Sequence, residues 1–389
     1  MKISIFSESY FPFVNGVSVS IRILKEELER RGHEVWVYAP AFKNHKDEDP
    51  HIARFPSVYT PFEPDYPLAV PVARELFNHW RERKFDLVHT HTPFSTGIHG
   101  MRWARRMHVP IVSTFHTLYE QYLHYVPPPF PVAVARTALR QYLRRYYTRV
   151  AQVVTPSELA KGLLTSYGVK TPVTVIRNAV LPFPDITKEE ARKRIGAHDG
   201  EFVLLYVGRL AREKNVGMLM EACGRLFPKY PQLRLRLLGD GPEADGLRAH
   251  ATRLSIDSRV VFEGPLPRER VSEFLLACDL FAFPSTTESQ GMALDEAQAA
   301  GLPCVVTDQG GSPEAVQHMV TGIVTPAETE PFASAIERLL SDDALWGELA
   351  GNGLKKREGL SVRAMGDKAL AVYNAAMNPE GPALSEQAI

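Results

Sequence analysis

The stretch STTESQGMALDEAQAAGLP, residues 285–303, places Glu288 and Glu296 with seven residues between them and Gly291 in the gap. Glu288 lies in a polar, turn-prone run. Glu296 lies one or two turns inside a helical pattern that begins after Gly291. A glycine there lets backbone approach a ligand closely. The N–H groups of Gly291, Met292, Ala293 and Leu294 would then meet an anion or sugar hydroxyls with a helix dipole behind them. Glu288 would accept hydrogen bonds from the hydroxyls of a hexose, and Glu296 would hold a vicinal diol such as a ribose. The same spacing also describes a helix whose acidic first turn favours its own dipole. Spacing alone leaves both readings open.

Upstream, YVGRLAREKNV sets Arg209 and Lys214 in a loop between a strand and a helix. Two fixed cations beside a helix N-terminus make a receptor for a diphosphate, and alone they also describe a solvated basic turn. VHTHTPFSTG carries His89 and His91, and STFHT carries His116. An HxH pair can turn both rings to one face of a strand, but no carboxylate or cysteine stands at metal-ligand spacing beside it. We therefore expect no metal, and a polar catalytic or substrate-binding part for His116. In FVNGVSVS, Asn15-Gly16 forms a tight turn into a helix, so that the Gly16 amide can approach a phosphate. Neither this segment nor GDGP at 239–242 is a GxGxxG fingerprint, which disfavours a dinucleotide-dependent oxidoreductase.

The elements that must position these groups alternate. KISIFSE, HEVWVYAP, DLVHTH, PIVSTFHT, AQVVTPS and VTVIRNAV read as strands separated by amphipathic helices, the pattern of a parallel sheet covered on both faces. The pattern breaks over 181–200, a hinge with a short helix. It resumes with FVLLYVGRL, LRLRLLGDG, VVFEG, LFAFPS and PCVVTD. Two doubly wound α/β domains, 1–180 and 181–365, fit better than one very large sheet. A C-terminal helix is expected over 366–380, crossing back to the first domain, followed by a tail over 381–389. Closure about the hinge would assemble a site and exclude water.

With 389 residues, 44% hydrophobic and 23% charged, the composition is that of an ordinary soluble chain. No apolar run approaches the ~20 residues of a membrane-spanning helix, and the N-terminus does not read as a secretory signal. Three scattered cysteines read as buried thiols in a reducing compartment. The zero net charge conceals a split. Residues 1–180 hold 23 Lys and Arg against 15 Asp and Glu, and the remainder hold 22 against 30. The first half thus suits an anionic surface, membrane or nucleic acid. Residues 121–157 contain no acidic residue, yet include Arg136, Arg140, Arg144, Arg145 and Arg149. On a helix these border an apolar arc of Leu139, Tyr142, Leu143, Tyr146 and Val150, preceded by the proline-rich YLHYVPPPFPVAVA. Such an arc suits anionic lipid, or a core-facing helix with snorkelling arginines. No nucleic-acid-binding module is recognisable.

VGRL…EK, GDGP, FEG and TESQGMALDEAQAAGLP, in this order, resemble the retaining glycosyltransferases of the GT-B fold, family 4 type, over nearly the whole chain. Within that class, FSESYFPFVNGVSVSI, VHTHTPFSTG, FHTLYEQYLHYV and TESQG are similar to diacylglycerol glucosyltransferases. The resemblance implies two Rossmann-like domains facing each other across a cleft and a nucleotide-sugar donor, UDP-glucose, without a metal or other cofactor. It implies a lipid acceptor at an anionic membrane surface, no nucleic acid, and a cytoplasmic enzyme attached to the inner face of the cell membrane. Arg209 and Lys214 would hold the diphosphate, Glu296 the ribose, and Glu288 the transferred sugar. The backbone at Glu263-Gly264 would meet the base, Gly16 the phosphates, and His116 the sugar near the reacting centre. Tyr119, Tyr122, Tyr125 and the five arginines would face acceptor and membrane. Two departures stand out: Gln290, where many relatives carry an aromatic, and Glu8, where an aspartate is common.

Overall fold

The computed structural model describes residues 1–60, 63–70, 74–125 and 131–378, with residues 60, 63–66, 122, 124 and 125 described by backbone alone. The calls on 126–130 and on the tail therefore lie outside the described residues. The chain divides into two compact units: Met1–Ala179 joined by the segment from Val362, and Val180–Ser361.

The first unit contains β1 (Lys2–Phe6), β2 (Glu34–Pro40), β3 (Ile52–Phe55), β4 (Ser57–Thr60), β5 (Glu63–Ala69), β6 (Leu87–Thr90), β7 (Ile111–Thr114), β8 (Gln152–Thr155) and β9 (Val173–Val175). Seven of them form a parallel sheet in the order β3-β2-β1-β6-β7-β8-β9, and β4 pairs with β5 antiparallel. Ile3, Ile5, Leu87 and Val112 are wholly buried, as expected of strands covered on both faces. The order reverses between β1 and β6. The loops leaving those two strands carry Glu8 and His91, at the place where open parallel sheets bind ligands.

The helix Gly16–Arg30 begins with a reciprocal cap. The Ser18 N–H donates to Asn15 Oδ1 at 2.8 Å, and the Asn15 N–H donates to Ser18 Oγ at 2.9 Å. Asn15-Gly16 is thus a helix N-cap, with Gly16 at the first helical position. The C-terminal helix spans Val362–Met377, starting before the expected residue 366 because extended Ser361 already breaks the preceding turn. It packs on the Gly16–Arg30 helix, and Arg31 donates to its Asp367 carboxylate at 2.6 Å and its Arg363 carbonyl at 2.8 Å.

Helix Val132–Tyr147 corrects the lipid-facing reading of the apolar arc. Leu143, Tyr146 and Val150 are buried, and Leu139 and Tyr142 pack against the same core. The Tyr146 hydroxyl donates to Thr90 Oγ1 at 2.9 Å and the Thr92 carbonyl at 3.2 Å, and the Tyr142 hydroxyl donates to the Pro93 carbonyl. These phenols fix the loop after β6. Burying an aromatic ring whose hydroxyl also finds a carbonyl satisfies both halves of the side chain, so this arc belongs to the core. Tyr119 packs there too, its ring 5.1 Å from Phe94. Among the described residues, no helix is long and apolar enough to cross a membrane.

The second unit is a parallel sheet of β10 (Phe202–Val207), β11 (Leu233–Leu238), β12 (Val260–Gly264), β13 (Leu280–Phe283), β14 (Cys304–Thr307) and β15 (Gly322–Thr325), ordered β12-β11-β10-β13-β14-β15. Here the order reverses between β10 and β13, whose following loops hold Arg209 to Lys214 and Ser285 to Gly291. Cys223, Cys278 and Cys304 are free and buried in this core, and burial pushes their thiols up.

Candidate active site

In the second unit, three strand-end loops interlock. The Leu210 N–H donates to the Asp240 carbonyl, the Glu243 N–H to the Leu210 carbonyl, and the Gly239 N–H to the Gly264 carbonyl, each at 2.9 Å. Gly239 has φ +132°, and a Cβ there would lie 1.9 Å from the Gly208 carbonyl oxygen. GDGP is thus a clamp on the loop that carries Arg209. Arg209 itself is exposed and makes no ion pair among the described residues.

Lys214 ends the short turn Arg212–Lys214, and its Nζ sits 2.5 Å from Glu288 Oε1. The same Glu288 oxygen accepts from Ser285 Oγ at 2.9 Å. The loop is tied from both sides: the Thr286 N–H donates to the Glu213 carbonyl, and the Gly311 N–H to the Glu288 carbonyl. Two groups that the sequence assigned to different parts of a ligand therefore meet directly, fixing a cation at the switch point.

Helix Met292–Ala299 starts at Gly291, whose φ of 74° lies in the left-handed region that favours glycine. Among the described residues, the N–H groups of Gly291, Met292 and Ala293 make no hydrogen bond, so they present the positive end of the helix. Leu294 does not belong with them. Its N–H donates to the Gly291 carbonyl at 2.9 Å and its side chain is wholly buried, leaving nothing to offer a ligand.

Glu296 is buried, which pushes its pKa up, while Arg268, 2.5 Å away, pulls it down. The sequence reading missed Arg268. It stands in the first turn of helix Arg268–Ala277, where a cation opposes the helix dipole. That misplacement is the signal that it has a carboxylate partner. Gln290 donates to Asp295 Oδ2 at 2.8 Å, and both are buried, so this amide braces the helix. At the neighbouring edge, the Glu263 carboxylate accepts from Arg236 at 2.6 Å, and Gly264 turns with φ 74°.

The first unit gathers His89, His91 and His116 at the ends of β6 and β7. The rings of His91 and His116 stack with centroids 5.0 Å apart, and His91 Nδ1 lies 2.8 Å from His116 Nε2. His89 is bonded at both ring nitrogens, to Tyr373 Oη at 2.8 Å and Thr114 Oγ1 at 2.7 Å. Burial pushes all three down, His89 to about 3 and His116 to about 4. All three rings are therefore neutral at pH 7. They border a cavity of about 30 Å³ that the C-terminal helix closes with Met365, Ala369 and Tyr373. Glu8, at the end of β1, accepts the Thr96 N–H at 3.3 Å and the Ser95 N–H, and burial raises its pKa. It caps helix Ser95–Arg106, whose own N-cap Phe94 supplies no side-chain acceptor.

Two doubly wound units, with charged loops at one switch point and histidines at the other, define the GT-B class. Residues 14–181 match the model of Glycosyltransferase Family 4, and residues 187–356 that of Glycosyl transferases group 1. An alpha-monoglucosyldiacylglycerol synthase of Streptococcus pneumoniae is 33% identical over 314 residues, covering 78% of this chain and 70% of that protein. One of Acholeplasma laidlawii is 32% identical over 319 residues, covering 79% and 80%. The crystal structure of Anabaena HepE in complex with UDP matches 96% of this chain and 100% of its own with a TM-score of 0.77, at 23% identity. The chain belongs to glycosyltransferase family 4.

Proposed function

We propose that this glycosyltransferase moves glucose from UDP-glucose onto diacylglycerol at a membrane surface, with retention at the anomeric carbon. The observation that carries the reading is Lys214 held on Glu288, three residues before the N–H groups of Gly291, Met292 and Ala293, which are unbonded among the described residues, the electrostatics a departing diphosphate needs. The likeness to two enzymes named for glucosylating diacylglycerol supports the acceptor and the sugar.

In this reading the anomeric C–O bond breaks with its electron pair leaving on the diphosphate. Lys214, Arg209 and the helix N-terminus take up that charge. The acceptor hydroxyl attacks from the same face, and its proton passes to the diphosphate oxygen. Glu296 holds the ribose, Glu288 a hydroxyl of the sugar, and His116 hydrogen-bonds the sugar. No metal is required, because fixed cations and N–H dipoles do the neutralising.

Membrane contact rests on the outer face of helix Val132–Tyr147. Val132 and Val134 are 43% and 58% exposed, and Arg144, Arg145 and Arg149 are exposed without ion-pair partners among the described residues. Arg136 and Arg140 contribute less, because both pair with Glu120. Mass spectrometry of lipid extracts tests the whole reading: the protein is incubated with diacylglycerol in anionic liposomes and a panel of UDP- and GDP-sugars. An α-glucosyl-diacylglycerol formed from UDP-glucose is expected. Donor hydrolysis without glycolipid would exclude diacylglycerol as the acceptor.

A further inference from the structure

His91 is buried, and its Nε2 has no hydrogen-bond partner among the described residues. Its Nδ1 faces His116 Nε2 at 2.8 Å. Two neutral imidazoles share one proton along such a contact, so one ring donates and the other accepts. If His116 donated, the His91 proton would sit on Nε2 as a buried N–H with no acceptor. Orphaned buried N–H groups are the rarer and costlier alternative to an unused lone pair. The His91 proton therefore belongs on Nδ1. The ring cannot turn away from this role. It lies between His89, 4.1 Å off, and His116, and its loop is held by Tyr142 and Tyr146.

We propose that His91 is a positioning residue: its Nδ1–H donates to His116 Nε2 and holds His116 in the neutral form protonated on Nδ1. His116 then presents an N–H to the sugar and has no lone pair left to act as a base. This rests on the reading that His116 meets the sugar, and it sharpens that reading by leaving the acceptor proton to the diphosphate. The titratable groups facing the pair are His89 on β6 and Tyr373 on the C-terminal helix, and the rest of the cavity lining is neutral.

The test is long-range ¹H–¹⁵N spectroscopy of the full chain labelled at histidine, with His116 assigned by its loss in His116→Asn. The parent should show His116 protonated on Nδ1 alone, with no titration from pH 7.5 to about 5.5. In His91→Phe the single tautomer should give way to a mixture, shifted at least about fivefold. His91→Asn keeps an amide donor near the Nδ1 position and should restore the single tautomer. In transfer assays, His91→Phe should lower kcat about 10- to 100-fold with the donor KM changed less than about threefold, and His91→Asn should recover most of the rate. His116 protonated on Nε2 in the parent would overturn the proposal, as would an unchanged tautomer in His91→Phe. Should His91→Phe fail to fold, the parent spectrum and His91→Asn still decide. If His116→Asn keeps full transfer activity, the sugar contact of His116 fails, while the tautomer measurement still judges His91.

Discussion

The loops at the two switch points use opposite chemistry. In the second unit, Lys214 meets Glu288 and Arg268 meets Glu296, so each carboxylate is held by a cation at 2.5 Å. In the first unit, three histidines are buried deeply enough to stay neutral and bond one another, a tyrosine and a threonine. Charged pairs suit a ligand that carries and gains negative charge. Neutral rings suit hydroxyls, which need directed hydrogen bonds and would be left unpaired by a wrongly protonated partner. Both sheets are parallel and reverse at the first strand of their unit, the first sheet having one strand more, and the loops that follow the reversal carry different side chains.

Four outcomes would break or sharpen that contrast. Lys214→Ala should cost the most, about 10²–10³ in kcat/KM, the range for removing one preorganised donor to developing charge. In a double-mutant cycle with Glu288→Ala the losses should be less than additive, because the first change strips Glu288 of its ion partner. Glu296→Gln should weaken donor binding about 10- to 100-fold. It should also abolish the preference over a donor lacking the ribose 2-hydroxyl; a preference that survives would remove Glu296 from the ribose.

The third outcome belongs to the first unit and concerns pH. His89, His91 and His116 have folded pKa values below the ordinary 6.5, so between those values the unfolded chain binds more protons. Their stabilisation is complete above about pH 6.5 and falls as the pH drops towards about 4 for His116 and about 3 for His89. Each fully perturbed ring contributes a slope of about 1.4 kcal/mol per pH unit, a tenfold change in the folded ratio. Hydrogen exchange at pH 7 and pH 5 should show acid loosening centred on the ends of β6 and β7, not on β10 and β13. The smallest effect is expected at the membrane: Arg144→Glu should reduce sedimentation with anionic liposomes about fivefold at low salt, and more than Arg136→Glu, which removes a side chain already paired with Glu120.

How much of this was legible in the sequence differs between the units. The placement of Arg209, Lys214 and Glu288 in loops after strands, and of Glu296 on the helix that follows, could be read because long apolar strands and a helical pattern adjoin them. That Lys214 and Glu288 touch could not be read, since 74 residues separate them and only the β10–β13 adjacency joins their loops. The strands Ile52–Phe55, Ser57–Thr60 and Glu63–Ala69 were missed because their prolines and short runs give no sustained period. The arc on helix Val132–Tyr147 shows the limit of periodicity. An apolar stripe bordered by arginines looks alike whether it faces lipid or a core, and the burial of Leu143 and Tyr146, with the hydroxyls of Tyr142 and Tyr146 bonded to the loop after β6, decides for the core.

The division of labour is tested most directly by measuring UDP affinity by calorimetry, and kcat by transfer assay, for Lys214→Ala and His116→Asn side by side. The account expects Lys214→Ala to weaken UDP binding by about 10²-fold. His116→Asn should leave it within about twofold while lowering kcat by about 10²-fold. If His116→Asn weakened UDP as much as Lys214→Ala did, or if Lys214→Ala left UDP affinity intact, the charge-against-neutral contrast would be wrong.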